Sequence, residues 1–153
     1  MPDDVIPQWD QLPDLTWKEK LGYLTWKFLQ MEQTPTPVEH LFENGNYIRE
    51  MRIPAGTLFI GRSHKHGHEV QLLSGRVIHI TETGRFVLEG PLGMKTQPGY
   101  HMVAFILTDV VARSIHPCGE ERDIQKLEDE FFEPVESMVA LGKDVSRRVI
   151  WQA

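Results

Sequence analysis

Three of the seven histidines in this 153-residue chain fall within five positions, in the run Gly61-Arg62-Ser63-His64-Lys65-His66-Gly67-His68-Glu69. Side chains on a strand repeat every second residue, so an extended run here predicts His64, His66 and His68 on one face. Neutral imidazole is the commonest metal ligand, and clustered imidazoles suit zinc, copper, iron or nickel. The same run also fits an exposed turn that binds nothing, with Gly67 breaking the strand. Spacing alone leaves both readings open.

The other chemistry-bearing side chains are less suggestive. His79 sits mid-strand in Arg76-Val77-Ile78-His79-Ile80 and reads as solvent-facing or cross-strand. His116-Pro117 ends a strand and reads as structural, and His40 has no partner in view. Cys118 lies in a proline-glycine turn with no basic neighbour to stabilise a thiolate. As the only cysteine it excludes an intrachain disulfide, which fits a reducing compartment. The chain has no nucleophile elbow, phosphate loop or dinucleotide fingerprint.

The elements that must position these residues are mostly short strands. From Asn46 onward turn signals recur at Pro54-Ala55-Gly56, Ser74-Gly75, Thr83-Gly84, Gly90-Pro91-Leu92-Gly93, Pro98-Gly99 and Pro117-Cys118-Gly119. Between them lie apolar, β-branched runs: Tyr47–Ile53, Thr57–Ile60, Val70–Leu73, Arg76–Thr81, Arg85–Leu88, His101–Leu107 and Val110–Ile115. Regular short strands separated by turns predict a sandwich or barrel.

Helices are predicted on either side of the strands. Thr16-Trp17-Lys18-Glu19 is a capping box, and a helix should run from it to about Gln33, stopped by Pro35 and Pro37. Trp17, Leu21, Leu24, Phe28 and Met31 make one apolar stripe along it, which Trp26 and Leu29 widen. An acidic helix from about Glu121 to Glu133 should present Ile124, Leu127 and Phe131 on one face and end at Pro134. The remaining tail is read as mixed, with Val149-Ile150-Trp151 as a final strand or a peptide for a partner. The first fifteen residues, with Trp9 and Leu12, read as an irregular arm.

Bulk properties narrow the function classes. A net charge of −6 disfavours a general nucleic-acid or anionic-membrane binder. No apolar run reaches spanning length, and the N-terminus lacks a signal-peptide pattern. Secretion through a signal peptide is therefore not expected.

The β region, residues 46–116, resembles a small single-domain cupin. Counting back from the hairpin-closing Gly75, the first cupin motif reads Arg62-x-His64-x3-His68-x6-Gly75. The spacing is kept, but Arg62 stands where the first histidine should be and His68 where the glutamate should be. An alternative register, with His64 and His66 as the pair and Glu69 as the acid, restores the residue types and loses the spacing to Gly75. The second motif centres on Pro98-Gly99, with His101 as its histidine. The runs Tyr47-Ile48-Arg49-Glu50 and Ile53-Pro54-Ala55-Gly56-Thr57, and Ile115-His116 before an acidic helix, resemble bacteriophage- and prophage-encoded cupin-like proteins.

The resemblance implies a mainly β fold: a cupin-like antiparallel jelly-roll barrel with an N-terminal amphipathic helix and a short C-terminal helix plus tail. Its divisions would be an arm and helix over 1–45, the barrel over 46–118, and a helix and tail over 119–153. It implies His64, His68 and His101 as ligands of one divalent transition metal, with His66 and Glu69 as alternates. Arg62 opposes this, since a guanidinium cannot ligate and repels a cation; pointing inward, it would favour an anion. The expected function is therefore a non-enzymatic structural, adaptor or binding module of a phage particle, forming homo-oligomers or binding other virion proteins. Its interface would be Trp17, Leu21, Leu24, Trp26 and Phe28, because aromatics are enriched at interfaces. The alternative is a metal-dependent cupin enzyme, an oxygenase or isomerase acting on a small molecule.

Overall fold

The computed structural model describes residues 14–149. The arm with Trp9 and Leu12, and Ile150-Trp151, lie outside the described residues. The structure divides into two compact units: Pro35–Glu133, and the described residues before and after that span.

The larger unit is built from β1 (Val38–Glu43), β2 (Asn46–Ile53), β3 (Leu58–Ile60), β4 (Glu69–Ser74), β5 (Arg76–Thr81), β6 (Gly84–Glu89), β7 (Leu92–Lys95), β8 (Val103–Ile106) and β9 (Val110–Pro117). Every pairing is antiparallel. One sheet has the order β1-β2-β9-β4-β7 and the other β3-β8-β5-β6. With β1 set aside as an added edge strand, two four-stranded sheets share the chain in the interleaved order of a jelly roll. The fold class is therefore as expected, except that the strands form two sheets and not one continuously bonded barrel.

Seven of these strands coincide with the apolar runs of the sequence to within two residues. β1 and β7 are additional. The signal for β1 was Asn44-Gly45, whose backbones both take positive φ (52° and 76°) and close a tight hairpin pairing Glu43 with Asn46. β7 was hidden because Gly93, read as part of a turn, lies inside the strand.

Alternation on the strands builds the interior. Ile53 on β2, Leu72 on β4, Val77 on β5, Ala104 and Ile106 on β8, and Val110 on β9 form one buried cluster drawing on both sheets. Val77 is fully buried. Replacing it with aspartate forfeits about 1.5–3 kcal/mol of apolar burial and leaves a polar group unsatisfied at about 1–3 kcal/mol more. We therefore expect Val77→Asp to lower unfolding free energy by roughly 3–6 kcal/mol in urea titrations. An unchanged midpoint would contradict the strand assignment.

Helix α2 (Ile124–Phe131) completes this unit. It starts later than expected because Asp123 caps it, accepting from the amides of Gln125 at 3.0 Å and Lys126 at 3.3 Å. Its apolar face delivers Leu127 and Phe131, with Phe132 following, into a second cluster around Tyr47.

In the smaller unit, α1 (Trp17–Leu29) begins at the expected capping box. Thr16 Oγ1 accepts from the Glu19 amide at 3.1 Å and the Thr16 amide donates to Glu19 Oε1 at 3.0 Å. The mixed tail is instead a helix, α3 (Val135–Val149), so Val149 ends a helix and starts no strand. Pro134 precedes its first turn, where a missing N–H costs nothing. Helices α1 and α3 pack together, burying Leu21, Leu24 and Thr25 on one and Met138, Val145 and Ser146 on the other. Trp17, Trp26 and Phe28 are half-buried, while Leu29 and Met31 stay exposed. No helix among the described residues is long and apolar enough to cross a membrane.

Candidate metal centre

The histidine-rich run is not a strand. Residues 61–68 form a loop joining β3 to β4, so the expected common face of His64, His66 and His68 does not exist. The loop is nonetheless held on two sides. The Gly61 amide donates to the Met102 carbonyl at 2.8 Å and the His64 amide to the Tyr100 carbonyl at 2.9 Å. Across the loop, the Lys65 amide donates to the Phe131 carbonyl at 2.8 Å, and the Glu133 amide to the Ser63 carbonyl at 2.9 Å. These bonds turn His64 and His68 toward each other, with ring centres 3.9 Å apart. His66 is left exposed. Glu69 faces outward with Gln71, whose Nε2 donates to its Oε1 at 3.1 Å.

The third imidazole comes from β9. Strand β4 pairs with β9 so that Glu69 lies opposite Ile115, and one step further places His68 beside His116. On the other side of β9, His116 lies opposite Tyr47 of β2. Its ring centre is 4.7 Å from that of His68 and 5.4 Å from that of His64. One ligand nitrogen from each of His64, His68 and His116 falls within 4.8 Å of the other two. His116, read from sequence as a structural strand end, thus joins the cluster.

His101 does not belong to this group. Its neighbours Tyr100 and Met102 line the interior cavity and His101 does not, as expected where extended backbone alternates sides. It is buried, and both its ring nitrogens lack hydrogen-bond partners.

Hydrogen bonds fix the ring states of two of the three. Thr96 Oγ1 meets His68 Nδ1 at 2.9 Å and also accepts the His68 amide at 3.1 Å. His68 Nδ1 also lies 3.3 Å from the His66 carbonyl, which it can meet only as a donor, so His68 Nε2 carries the lone pair, and it is buried without a partner. His64 Nδ1 lies 3.3 Å from the Tyr100 carbonyl, which it can meet only as a donor, leaving its Nε2 unprotonated. His116 Nε2 is likewise buried and unpartnered. Outer-shell bonds of this kind orient metal ligands and raise their basicity. Thr96 is a residue that sequence reasoning missed; it comes close because a side chain at Gly67 would collide with the Thr96 carbonyl. Phe131 stacks on His116 at 4.7 Å and Phe132 meets His64 edge-on at 4.7 Å, walling the cluster.

Burial, then the neighbouring rings, push His64 down to about 3. Burial, then His68 and Arg49, push His116 down to about 3. Burial lowers His68 as well, and brings His101 to about 4. The imidazoles are therefore neutral, the state a metal requires. Three neutral imidazoles, each with a ligand nitrogen in the cluster, fit a divalent transition-metal ion.

The same shifts set a pH dependence for the metal-free protein. Below about 6.5 the unfolded chain takes up protons that the folded chain refuses. Stability should be greatest at neutral pH and above, then fall as pH drops from about 6.5 toward 3–4, by up to about 2 kcal/mol per buried histidine at pH 5. Urea midpoints of chelator-treated protein at pH 7.5, 6 and 5 measure this; a flat profile would mean these rings are not held neutral by burial.

Arg62 does not enter the cluster as a free cation. Its Nη1 lies 3.5 Å from Glu128 Oε2, its Nη2 donates to the Glu133 carbonyl at 3.4 Å, and its guanidinium sits 4.6 Å from the centre of the Phe132 ring. Arg49, inward-facing on β2, lies 4.6 Å from the same ring. Below the histidines the two sheets enclose a cavity of about 280 Å³.

No family model and no curated protein matches the chain. Among solved structures, it is similar to a cupin domain from Bordetella pertussis, with 18% identity over 56% of this chain and 96% of that one, at a TM-score of 0.44. A Cupin_2 domain of an XRE-family transcriptional regulator from Enterobacter cloacae shows 17% identity over 53% and 95%, also at 0.44. An acetylacetone dioxygenase from Acinetobacter johnsonii shows 16% identity over 54% and 59%, again at 0.44. The jelly-roll assignment itself rests on the strand order.

Proposed function

We propose that this chain is a metal-dependent cupin-type enzyme for a small molecule, with His64, His68 and His116 holding one divalent ion. The observation that carries the reading is the convergence of three neutral imidazoles, two of them with buried, unpartnered Nε2 atoms. Buried polar atoms are ordinarily satisfied, so two unpartnered ring nitrogens in one cluster want a shared partner. Three protein ligands leave a coordination position open, the pattern of catalytic rather than structural sites. An ion bound there would act as a Lewis acid toward an oxygen-bearing ligand. The chain's own contribution is to keep the imidazoles neutral, to fix His68 through Thr96 and His64 through the Tyr100 carbonyl, and to exclude water with Phe131 and Phe132.

The test is metal content after purification without chelator, followed by reloading of stripped protein with zinc, iron(II), nickel or manganese. About one ion per chain supports the reading. A protein that takes up none of the four at excess overturns it.

A second reading, an oligomeric binding module, draws on exposed apolar side chains. Leu29 and Met31 extend the α1 stripe, and Phe86 and Val87 lie on β6, an edge strand of its sheet. Exposed apolar edges are association sites. Sedimentation equilibrium decides it: a monomer at high concentration rejects self-association. A role in a virion rests on sequence resemblance alone.

A further inference from the structure

Strand alternation puts Tyr47, Arg49, Met51 and Ile53 on the inward face of β2, and Arg49, Met51 and Ile53 line the cavity. Arg49 lies opposite Ser114, one inward-facing row below the Tyr47–His116 pair. Arg62 on the same cavity is paired with Glu128. Arg49 makes no ion pair among the described residues, and its Nε is buried without a hydrogen-bond partner. Glu50, next in sequence, faces the other way and is taken by Arg113 at 2.8 Å and Arg52 at 3.8 Å, and Glu128, whose charge also acts on Arg49, is engaged by Arg62 at 3.5 Å. The Phe132 ring meets the guanidinium but cannot accept all its N–H groups. A half-buried guanidinium with no ion pair and a buried, unpartnered Nε favours a complementary anion beside it.

Two further features point the same way. The hydroxyl of Tyr100, which also lines the cavity, is buried and unpartnered, and offers a second donor. The three-histidine set contains no carboxylate, so a divalent ion there would add uncompensated positive charge. Past Arg49 the lining turns apolar, with Met51, Leu72, Val77, Leu88, Met102 and Ile106. A cavity of 150 Å³ holds benzene, so one of about 280 Å³ takes roughly ten to twelve non-hydrogen atoms.

We propose that the cavity binds a medium-chain organic carboxylate, its head group on Arg49 and the Tyr100 hydroxyl and its chain among the apolar side chains below. This names the ligand class of the site proposed above, but the Arg49 contact does not itself require the metal.

Calorimetric titration of octanoate into chelator-treated, full-length protein tests it, with octylamine, 1-octanol and octylphosphonate as comparisons. Octanoate should bind at least tenfold more tightly than octylamine or octanol. Arg49→Gln should weaken octanoate at least tenfold and leave octanol within about twofold, while Arg49→Lys, which keeps the charge, should lose less. Octylphosphonate binding more tightly than octanoate would overturn the carboxylate assignment. Octanoate and octylamine binding alike, no octanoate binding at all, or octanoate affinity unchanged in a folded Arg49→Gln protein would overturn the proposal. The comparison of ligands on the unaltered protein stands even if Arg49→Gln does not fold. Octanoate binding to a protein that never takes up metal would reject the metal centre and keep this inference. Metal uptake without octanoate binding would do the reverse.

Discussion

His116→Ala is expected to abolish stoichiometric metal binding, whereas His101→Ala should leave it intact. The contrast follows from which rings converge. His116 lies across β4–β9 from His68 and contributes one of three nitrogens within 4.8 Å of one another. His101 is outside that group. Losing an outer-shell partner typically costs 10–100-fold in metal affinity. Thr96→Val, which removes the oxygen at 2.9 Å from His68 Nδ1, should fall in that range, and loss of a ligand should exceed it. Zinc affinity by competition with a chromophoric chelator orders the three variants, and circular dichroism checks that each is folded. Retention of metal by His116→Ala together with its loss from His101→Ala would move the centre to the ligand set first read from the sequence. Uptake unchanged in both would mean that neither ring ligates.

Gly142→Val should be the most damaging substitution in the helical unit. A Cβ at Gly142 would run into the Gly22 carbonyl oxygen and the Trp26 Cβ. The first is backbone and cannot retreat without moving a helix. Overpacking costs about 1–3 kcal/mol, occasionally more, where neighbours cannot adjust; with a backbone obstacle the upper end or beyond is expected. At Gly22 the obstacle is the Leu141 side chain, with Cγ at 2.9 Å, which can shift, so Gly22→Ala should be milder. Gly93→Ala meets nothing within 4 Å and serves as the neutral control. Thermal melts followed by helical ellipticity should rank the variants in that order. A Gly142→Val protein that melts like the parent would show that α1 and α3 do not approach this closely.

The packing of α1 on α3 bears on the adaptor reading. The sequence reading places an interface at Trp17, Leu21, Leu24, Trp26 and Phe28. Leu21 and Leu24 are in fact buried in the helical unit, and Trp17, Trp26 and Phe28 are only partly exposed. The partner helix was written in the sequence as Met138, Leu141, Gly142 and Val145, a helical spacing. It went unread because Pro134 was taken only as the end of a helix and not as the start of the next.

Local pattern, then, determined much of this protein. Turn residues at fixed φ and alternating apolar runs located seven of the strands, because both act over a few neighbouring residues. The capping box placed the first helix for the same reason. The glycine-spaced run around His64 and His68 marked the site. Tertiary structure decided the rest. His101 stands just before one strand and His116 near the end of another, and neither position by itself says which ring turns to the cluster. The choice depends on which way each side chain turns and on the β4–β9 register, a long-range pairing that sets Glu69 against Ile115. A shift of one residue would turn His116 outward and could bring another side chain in, since strand faces alternate. The place of Arg49 was hidden likewise: only closure of two sheets, with Glu50 facing away, puts one arginine among many on the cavity with no ion pair and a buried, unpartnered Nε.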